Sequence, residues 1–201
     1  VEPSVSVNRG SGAWFFRSKN VVAQNNTAAL SRGHNDSAGI HVDYNNENIL
    51  VQYNFTFNNE GYGTEILGAN KNIIWRYNIS VGDGTRVVNV PRPEGGRSIN
   101  PGRTIHVSDF AKPYRTKSED VFIYNNTYLV TSESSPGIEL KAKNLSVWNN
   151  QFLVQDDAFL AQNFNKRSNS SSDIFVKNNG FSGMISDEFI ALDKEPIFVN
   201  V

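Results

Sequence analysis

Two of the three histidines in the chain stand in short runs whose pattern also places acidic residues at the matching position. In each run, a His or a Glu lies between two residues typical of β-strands. The four runs are Gly39-Ile-His-Val-Asp43, Gly63-Thr-Glu-Ile-Leu67, Thr104-Ile-His-Val-Ser108 and Gly137-Ile-Glu-Leu-Lys141. A carboxylate beside an imidazole raises the imidazole pKa and prepares it for general acid–base catalysis near neutral pH. The candidate catalytic residues are therefore His41, Asp43, Glu65, His106 and Glu139.

The alternation within these runs predicts that the candidate residues share one face. Successive side chains of a strand point to opposite sides, so His41 points outward if Ile40 and Val42 point inward. Strands stacked about 4.8 Å apart would then carry an outer column. It consists of His41, Glu65, His106 and Glu139, with Asp43, Leu67, Ser108 and Lys141 forming a parallel column two residues on. The alternative is a surface column of charges that stabilises the fold without catalysis.

Cations cluster in the region between Arg86 and Lys117. Seven Lys or Arg residues stand there against two acidic residues, a local net charge of +5 in a chain of net charge −1. Arginine forks suit carboxylate and sulfate groups, so an anionic polysaccharide is the expected partner. The candidate substrate-binding residues are Arg86, Arg103, Tyr114, Arg115 and Lys141, with Tyr114 as a sugar-stacking platform. A solvated loop surface is the alternative.

A divalent metal is a further option at the outer column. His41, Glu65 and His106 could share one, because imidazole and carboxylate are common ligands of such ions. The three would span roughly 10 Å along the stack, however, which is too far for one ion without rearrangement. No metal ligand and no cofactor are therefore assigned from the sequence.

The elements that must position these residues repeat with a fixed period. The segment Asn48–Asn54 has a near copy at Asn72–Asn78, 24 residues on, and both alternate apolar and polar residues as strands do. In every copy an Asn lies six residues after an opening Asn or Asp. The six copies are Asn20–Asn26, Asn48–Asn54, Asn72–Asn78, Asp120–Asn126, Asn144–Asn150 and Asp173–Asn179.

Stacking of these copies would align their Asn residues in an internal ladder whose amides satisfy buried turn backbone. With this pattern, the chain from about Val21 to Phe181 resembles the right-handed parallel β-helix of the pectate-lyase-like superfamily. The resemblance implies an all-β, single-stranded solenoid with three short strands per coil. It also implies a substrate cleft along the first strand of each coil. The fold hosts lyases, hydrolases, epimerases and phage tailspikes, so it does not fix the reaction.

The chain is predicted to be one domain over residues 1–201, with loop insertions at about 82–103 and 109–119. The step of 48 residues from Asn72 to Asp120 is interpreted as one coil with long loops. Ala13–Phe16 is interpreted as the last strand of an incomplete first coil, Ala158–Ala161 as a fifth first-strand segment, and Pro196–Val201 as a closing strand. An uncapped start favours a segment of a longer protein, or an end that a partner covers.

The composition of the chain argues against two classes of binding partner. The small net charge argues against nucleic acid, and no run approaches 18 apolar residues, so no membrane partner is expected. The first residue is Val1 and no signal peptide precedes it, which suggests a mature or trimmed chain. A secreted or periplasmic location is expected from the substrate class.

The second strands present an apolar outward column. It consists of Val22, Leu50, Ile74, Phe122, Ser146 and Phe175. Such a face is too apolar for free water. It is expected to pack against a partner chain, a terminal segment or a missing part of the chain.

Three functions remain open at this stage. A lyase would neutralise a uronate carboxylate with Arg103 or Lys141 and remove the C5 proton with His106 or His41. The calcium-binding Asp clusters of the resembled family are not evident. A glycoside hydrolase would pair Glu65 with Asp43 or with Glu139, at separations that suit inversion. The third option is a non-catalytic glycan-binding solenoid or tailspike- or adhesin-like shaft.

Overall fold

The protein consists almost entirely of parallel β-strands. A computed structural model describes residues 10–91, 97–131, 136–155, 157–161, 164–166 and 173–198. In these residues the strands form three sheets in which every paired neighbour is parallel. The predicted all-β class with repeated parallel strands is confirmed, and the arrangement is compatible with a parallel β-helix.

Consecutive strands enter the three sheets in turn. The first sheet contains β1 (Ala13–Phe15), β4 (Ile40–Val42), β7 (Tyr62–Ile66), β10 (Arg103–Val107), β13 (Gly137–Leu140) and β16 (Phe164–Lys166). The second sheet contains β2 (Lys19–Gln24), β5 (Glu47–Gln52), β8 (Lys71–Arg76), β11 (Ser118–Tyr124), β14 (Ala142–Trp148) and β17 (Ile174–Lys177). The third sheet contains β3 (Thr27–Ala29), β6 (Phe55–Phe57), β9 (Ile79–Val81), β12 (Thr127–Val130), β15 (Gln151–Val154), β18 (Gly180–Ser182) and β19 (Ile197–Phe198). A short helix, α1 (Asp187–Ile190), precedes β19.

The opening Asn or Asp of each repeat has a backbone reason. Asn48 has φ of 56°, Asn72 of 54° and Asp120 of 57°. Asn and Asp tolerate this left-handed conformation better than other residues with a Cβ atom, because their short polar side chains bond locally. Asn20 and Asn144 share this conformation, so in five of the six copies the repeated residue type marks a bend of the chain just inside a second-sheet strand.

The predicted Asn ladder runs along the inside of the turn between the second and third sheets. Asn78 donates from its backbone N and its Nδ2 to Oδ1 of Asn126, at 3.0 and 3.1 Å. These residues are 48 apart in sequence, so one repeat spans this step and its extra residues lie in the loops on either side of β10. At the C-terminal end, Asn179 donates to Asp193 Oδ2. The ladder satisfies backbone groups that have no water to bond.

Among the residues that the structure describes, one apolar core cluster lies between the sheets. Tyr128 and Phe152 stack with ring centroids 5.2 Å apart, and Phe152 stacks on Phe181 at 5.6 Å. Each such ring, fully buried, contributes about 1.5–3 kcal/mol relative to an exposed one. A row of stacked aromatic side chains thus helps to hold successive repeats in register.

Two strand assignments made from the sequence are wrong, and a third extends beyond the residues that the structure describes. Ala13–Phe15 pairs with β4, so it is a first-sheet strand rather than the last strand of a coil. Ala158–Ala161 is not a strand, because Ala158 N bonds Gln155 O in a turn and Ala161 has φ of 59°. The first sheet continues instead with β16. Within Pro196–Val201, Ile197–Phe198 pairs with β18 and residues 199–201 lie outside the described part.

The outward column of the second sheet is only partly shielded within the chain. Val22 is 57 % exposed and Phe175 is 39 % exposed, while Leu50, Ile74, Phe122 and Ser146 are half-buried. Separately, no helix in the described residues has the length and apolar character that crossing a bilayer requires.

Candidate functional site

The four column residues are direct neighbours across the first sheet. His41 pairs with Glu65, Glu65 with His106, and His106 with Glu139, on the adjacent strands β4, β7, β10 and β13. The apolar residues between them in sequence belong to the core. The side chains therefore face away from the core, as the alternation predicts.

Although they face away from the core, the four side chains are almost inaccessible to solvent. His41 is 3 % exposed, Glu65 1 %, His106 9 % and Glu139 4 %. They lie at the bottom of a cleft of about 540 Å³. Its walls come from β1 and from the loops around the first sheet: Trp14, Phe16, Asn35, Asp36, Tyr44, Tyr62, Asn100, Phe110, Lys112 and Arg115 also line it. Because loop side chains cover the column, a strand face that is polar in sequence becomes a buried polar site.

Eight of the ten candidate residues line this cleft. Asp43, Arg103, Arg115 and Lys141 join the four column residues there. Arg86 is buried outside the lining, where its Nε donates to Asn100 O at 2.6 Å and its Nη1 to Asp36 O at 2.9 Å. Tyr114 is 80 % exposed and also outside it. Arg86 thus joins two loops, and neither Arg86 nor Tyr114 is among the residues that line the cleft.

The tightest cluster in the cleft centres on Glu139. Its Oε2 lies 2.8 Å from His106 Nδ1 and 3.7 Å from Arg103 Nη2, and its Oε1 contacts Lys141 Nζ. On its other side, the imidazole of His106 stacks on Tyr62 with centroids 4.3 Å apart. These two contacts together restrain both the position and the orientation of the His106 imidazole ring.

Protonation states follow from these contacts. Burial is the largest influence on the Glu139 carboxyl and opposes its ionisation. The hydrogen bonds and charges of His106, Lys141 and Arg103 together outweigh burial and lower the pKa of Glu139 to about 2. Burial also lowers the pKa of His106, helped by Arg103 and Lys141, although Glu139 acts in the opposite direction. At neutral pH the pair is thus a carboxylate beside a neutral imidazole.

That charge state selects the histidine tautomer. The anionic Glu139 oxygen, 2.8 Å from Nδ1, favours the form in which Nδ1 carries the proton. Nε2 is then the basic atom of the ring. A carboxylate that orients an imidazole and stabilises its protonated form is the arrangement that general-base histidines use.

Glu65 is in a different state. Its carboxyl is buried, its oxygen atoms have no hydrogen-bond partner among the described residues, and its Oε2 lies 3.5 Å from His41 Nδ1. Burial, followed by the negative charge of Asp36, raises its pKa well above the ordinary value. The pKa values of the two Glu residues of the column therefore shift in opposite directions, because burial dominates at Glu65 whereas His106, Lys141 and Arg103 together outweigh it at Glu139.

The structure changes the set of residues that could hold a metal. Ligand atoms of Asp36, His41 and Glu65 all lie within 4.8 Å of one another. His106, which the sequence offered as an optional third ligand, is not in this group; its Nδ1 lies 2.8 Å from Glu139 on the next strand of the sheet. Asp36 takes its place from the loop between β3 and β4.

The sequence pattern could have identified some of the remaining cleft residues but not all of them. Trp14 is the register partner of His41, and its Nε1 donates to Asp43 Oδ2 at 2.8 Å. The alternation around Ala13–Phe15 could have placed it in the outer column. Tyr62 precedes the predicted run by one residue and could have been found only by extending β7. Asp36 lies in a loop with no repeat pattern, so no sequence signal pointed to it.

Glu139 makes a prediction for acid stability. Its pKa is lower in the folded chain than the ordinary 4.5, so as pH falls the unfolded chain takes up the proton first. The stability that the ionised group contributes is complete above about pH 4.5 and is lost as pH falls towards 2, a decline of up to about 3 kcal/mol. Urea unfolding at a series of pH values should show this decline in the native chain and lose it in Glu139→Gln.

The matched control is Glu119→Gln, which removes a carboxylate that forms an exposed ion pair with Lys143. Exposed pairs contribute less than about 1 kcal/mol. An equal acid response in the native chain and in Glu139→Gln would show that Glu139 does not carry the effect.

Comparison of the chain with protein-family models, curated proteins and solved structures finds no match in any of the three. The resemblance to the pectate-lyase-like superfamily therefore depends on the repeat pattern and on the three parallel sheets. The function has to be inferred from the chemistry of the cleft.

Proposed function

We propose that the three sheets form a single-stranded, right-handed parallel β-helix of the pectate-lyase-like type and that its first-sheet cleft cleaves an anionic polysaccharide by β-elimination. One observation carries this proposal: His106 Nδ1 lies 2.8 Å from the Glu139 carboxylate, with Arg103 and Lys141 beside it. These are the groups that elimination from a uronate requires, gathered in one cleft.

The reaction needs a base and a cation. Arg103 and Lys141 would bind the uronate carboxylate, and neutralising its charge makes the C5 proton more acidic. Nε2 of His106 would then take that proton. The C5–H electron pair forms the C4–C5 double bond while the C4–O bond breaks, and the leaving oxygen takes a proton from the imidazolium or from water. Glu139 would stabilise the imidazolium during this step.

The cations of the cleft are possible partners for an anionic substrate. Arg103, Lys112, Arg115 and Lys141 line the cleft, together with the acidic residues Asp36, Asp43, Glu65 and Glu139. Arg115 and Lys141 approach the same Asp109 carboxylate, at 2.9 and 3.9 Å. A sugar carboxylate or sulfate could replace Asp109 as partner of one of these cations, because the geometry suits either anion.

Aromatic side chains support a sugar ligand. Phe16 packs edge-to-face on Tyr44 with centroids 4.9 Å apart, and Tyr44 packs on Phe110 at 5.9 Å. All three line the cleft, whose volume lies within the range typical of ligand sites. Pyranose rings present apolar C–H faces that pack on such surfaces. A polysaccharide substrate in turn favours a secreted or periplasmic location.

Glycoside hydrolysis is a second candidate, supported by a specific contact. His41 lies 3.9 Å from an Asp43 oxygen and 3.5 Å from a Glu65 oxygen, so two carboxyl groups from adjacent repeats stand on either side of one imidazole. Hydrolysis needs two such groups across the scissile bond. The elimination proposal is preferred because the His106 cluster combines a base with cations.

A non-catalytic glycan-binding shaft is the third candidate. Its support is the exposed part of the second-sheet column, Val22 and Phe175, which a second chain or a further segment would cover. In that case the cleft would bind sugar without turning it over.

One set of assays separates the three functions. The chain is incubated with alginate, pectate and sulfated glycans while ultraviolet absorbance and new reducing ends are both measured. We expect new absorbance from the C4–C5 double bond with at least one polyuronate. Reducing ends without absorbance would favour hydrolysis, whereas a trimer in solution with no product would favour the shaft.

A further inference from the structure

We propose that Asp36, His41 and Glu65 form a binding site for one first-row transition-metal dication, of which Zn²⁺ is the best fit. The inference goes beyond polysaccharide cleavage and does not depend on it. Ligand atoms of these three residues lie within 4.8 Å of one another, at the end of the cleft formed by β4 and β7. The site is separate from the His106–Glu139 pair, which lies on the next two strands.

The state of the Glu65 side chain points to a ligand. Glu65 is 1 % exposed, and neither of its carboxyl oxygens has a hydrogen-bond partner among the described residues. Buried carboxyl groups are normally hydrogen-bonded or bound to a cation, because an unpaired one costs several kcal/mol. Glu65 lines the cleft, so an ion that enters the cleft can reach it.

The donor set indicates the class of metal. One imidazole nitrogen and two carboxylate oxygens are common ligands of Zn²⁺, which leaves a fourth position for water. Ca²⁺ prefers six or more oxygen ligands, and Mg²⁺ keeps most of its water, so neither suits this set as well. Side-chain rotations of Asp36 and Glu65 would bring the donors to the roughly 2.0–2.2 Å from the metal that Zn²⁺ requires.

The charged groups around the site affect how well it can bind a dication. Arg86 and Arg103 are close enough to act on the Glu65 carboxyl, and the positive charge of each repels a metal ion. Asp36 and Asp43 act in the other direction. With Glu65 ionised, three carboxylates face two guanidinium groups around this site, and a net negative charge remains for the metal.

The metal would also connect two parts of the fold. Asp36 belongs to the loop between β3 and β4, whereas His41 and Glu65 belong to the first sheet. Arg86 already holds this loop through the Asp36 carbonyl, at 2.9 Å. Binding of an ion by the Asp36 carboxylate would add a second link between the loop and the sheet. Zn²⁺ should therefore raise the unfolding temperature of the chain.

The test uses the full chain without a His tag, stripped of metal and without polysaccharide. Zn²⁺ alone is titrated calorimetrically, and bound metal is counted by mass spectrometry after dialysis. We expect one Zn²⁺ per chain, and at least about tenfold weaker binding in both Glu65→Gln and Asp36→Asn. Glu119→Gln serves as the control, because it removes an exposed carboxylate on another sheet and should leave Zn²⁺ binding unchanged.

Three results would overturn the site. They are the absence of bound Zn²⁺ in the native chain, a Zn²⁺ affinity of either variant within threefold of the native affinity, or tighter binding of Ca²⁺ than of Zn²⁺. Circular dichroism of each variant shows whether the variant is folded, so that a loss of Zn²⁺ binding can be distinguished from unfolding. If Glu65→Gln does not fold, Asp36→Asn alone decides, since Asp36 is only half-buried in a loop. Because no substrate is present, failure of the polysaccharide proposal would not change these outcomes.

Discussion

His106→Asn is expected to lower kcat for β-elimination by about 10²–10⁴-fold, the usual contribution of a general base. Asn can place its amide nitrogen near the position of Nδ1, which is 2.8 Å from Glu139 in the native chain, and donate a hydrogen bond to that carboxylate. It has no counterpart of the basic Nε2. The substitution therefore removes the proton acceptor while keeping the partner of the buried carboxylate.

Three measurements distinguish this role from a structural one. KM should change less than kcat, because Arg103 and Lys141 still bind the uronate. The unfolding temperature should stay near that of the native chain. His34→Asn, the same substitution at a histidine outside the cleft lining, should keep full activity. Native kcat in His106→Asn would exclude His106 as the base and leave His41 as the remaining histidine of the cleft.

The pH profile of the native chain gives a second view of the same group. Burial lowers the pKa of His106, with Arg103 and Lys141 acting in the same direction and Glu139 against them. Since the neutral ring is the active form, activity should persist to pH values below the ordinary histidine pKa of 6.5 and fall only under more acidic conditions.

The sequence was sufficient for the strand repeats and the order of the column because both follow from periodicity. A 24-residue spacing places Asn54 beside Asn78, and alternation places Glu65 beside His41, independently of the loop conformations. Register was predictable for the same reason. A one-residue shift would turn Ile40 and Val42 out of the core.

Burial of the column could not be predicted, because it depends on segments without a repeat. Asp36 and Asn100 reach the cleft from loops, and loop conformation leaves no periodic trace in a sequence. Charge alone also did not indicate the surroundings of Arg86. Its guanidinium lies 5.3 Å from the Tyr62 ring centroid and donates hydrogen bonds to the carbonyl oxygens of Asn100 and Asp36.

Asn126→Ala is expected to have the largest effect on stability, lowering the free energy of unfolding by about 3–5 kcal/mol. Oδ1 of Asn126 accepts two hydrogen bonds from Asn78, and its Nδ2 donates to the carbonyl oxygens of Trp75 and Tyr124 and to Asn150 Oδ1, all at 2.9–3.1 Å. Alanine leaves several of these groups buried without a partner, at about 1–3 kcal/mol each. Urea unfolding should show the loss as a lower midpoint.

Asn26→Ala is the matched control, because Asn26 holds the same place in the first repeat but is exposed. Its Nδ2 donates to Gln24 O and Asn54 Oδ1, and water can replace it at both acceptors once it is removed, so we expect a loss of less than about 1 kcal/mol. The difference between the two variants measures what burial adds to the same amide. Equal losses would mean that the ladder acts through its backbone bends alone, and stacking of the repeats would then depend on the apolar core rather than on the Asn side chains.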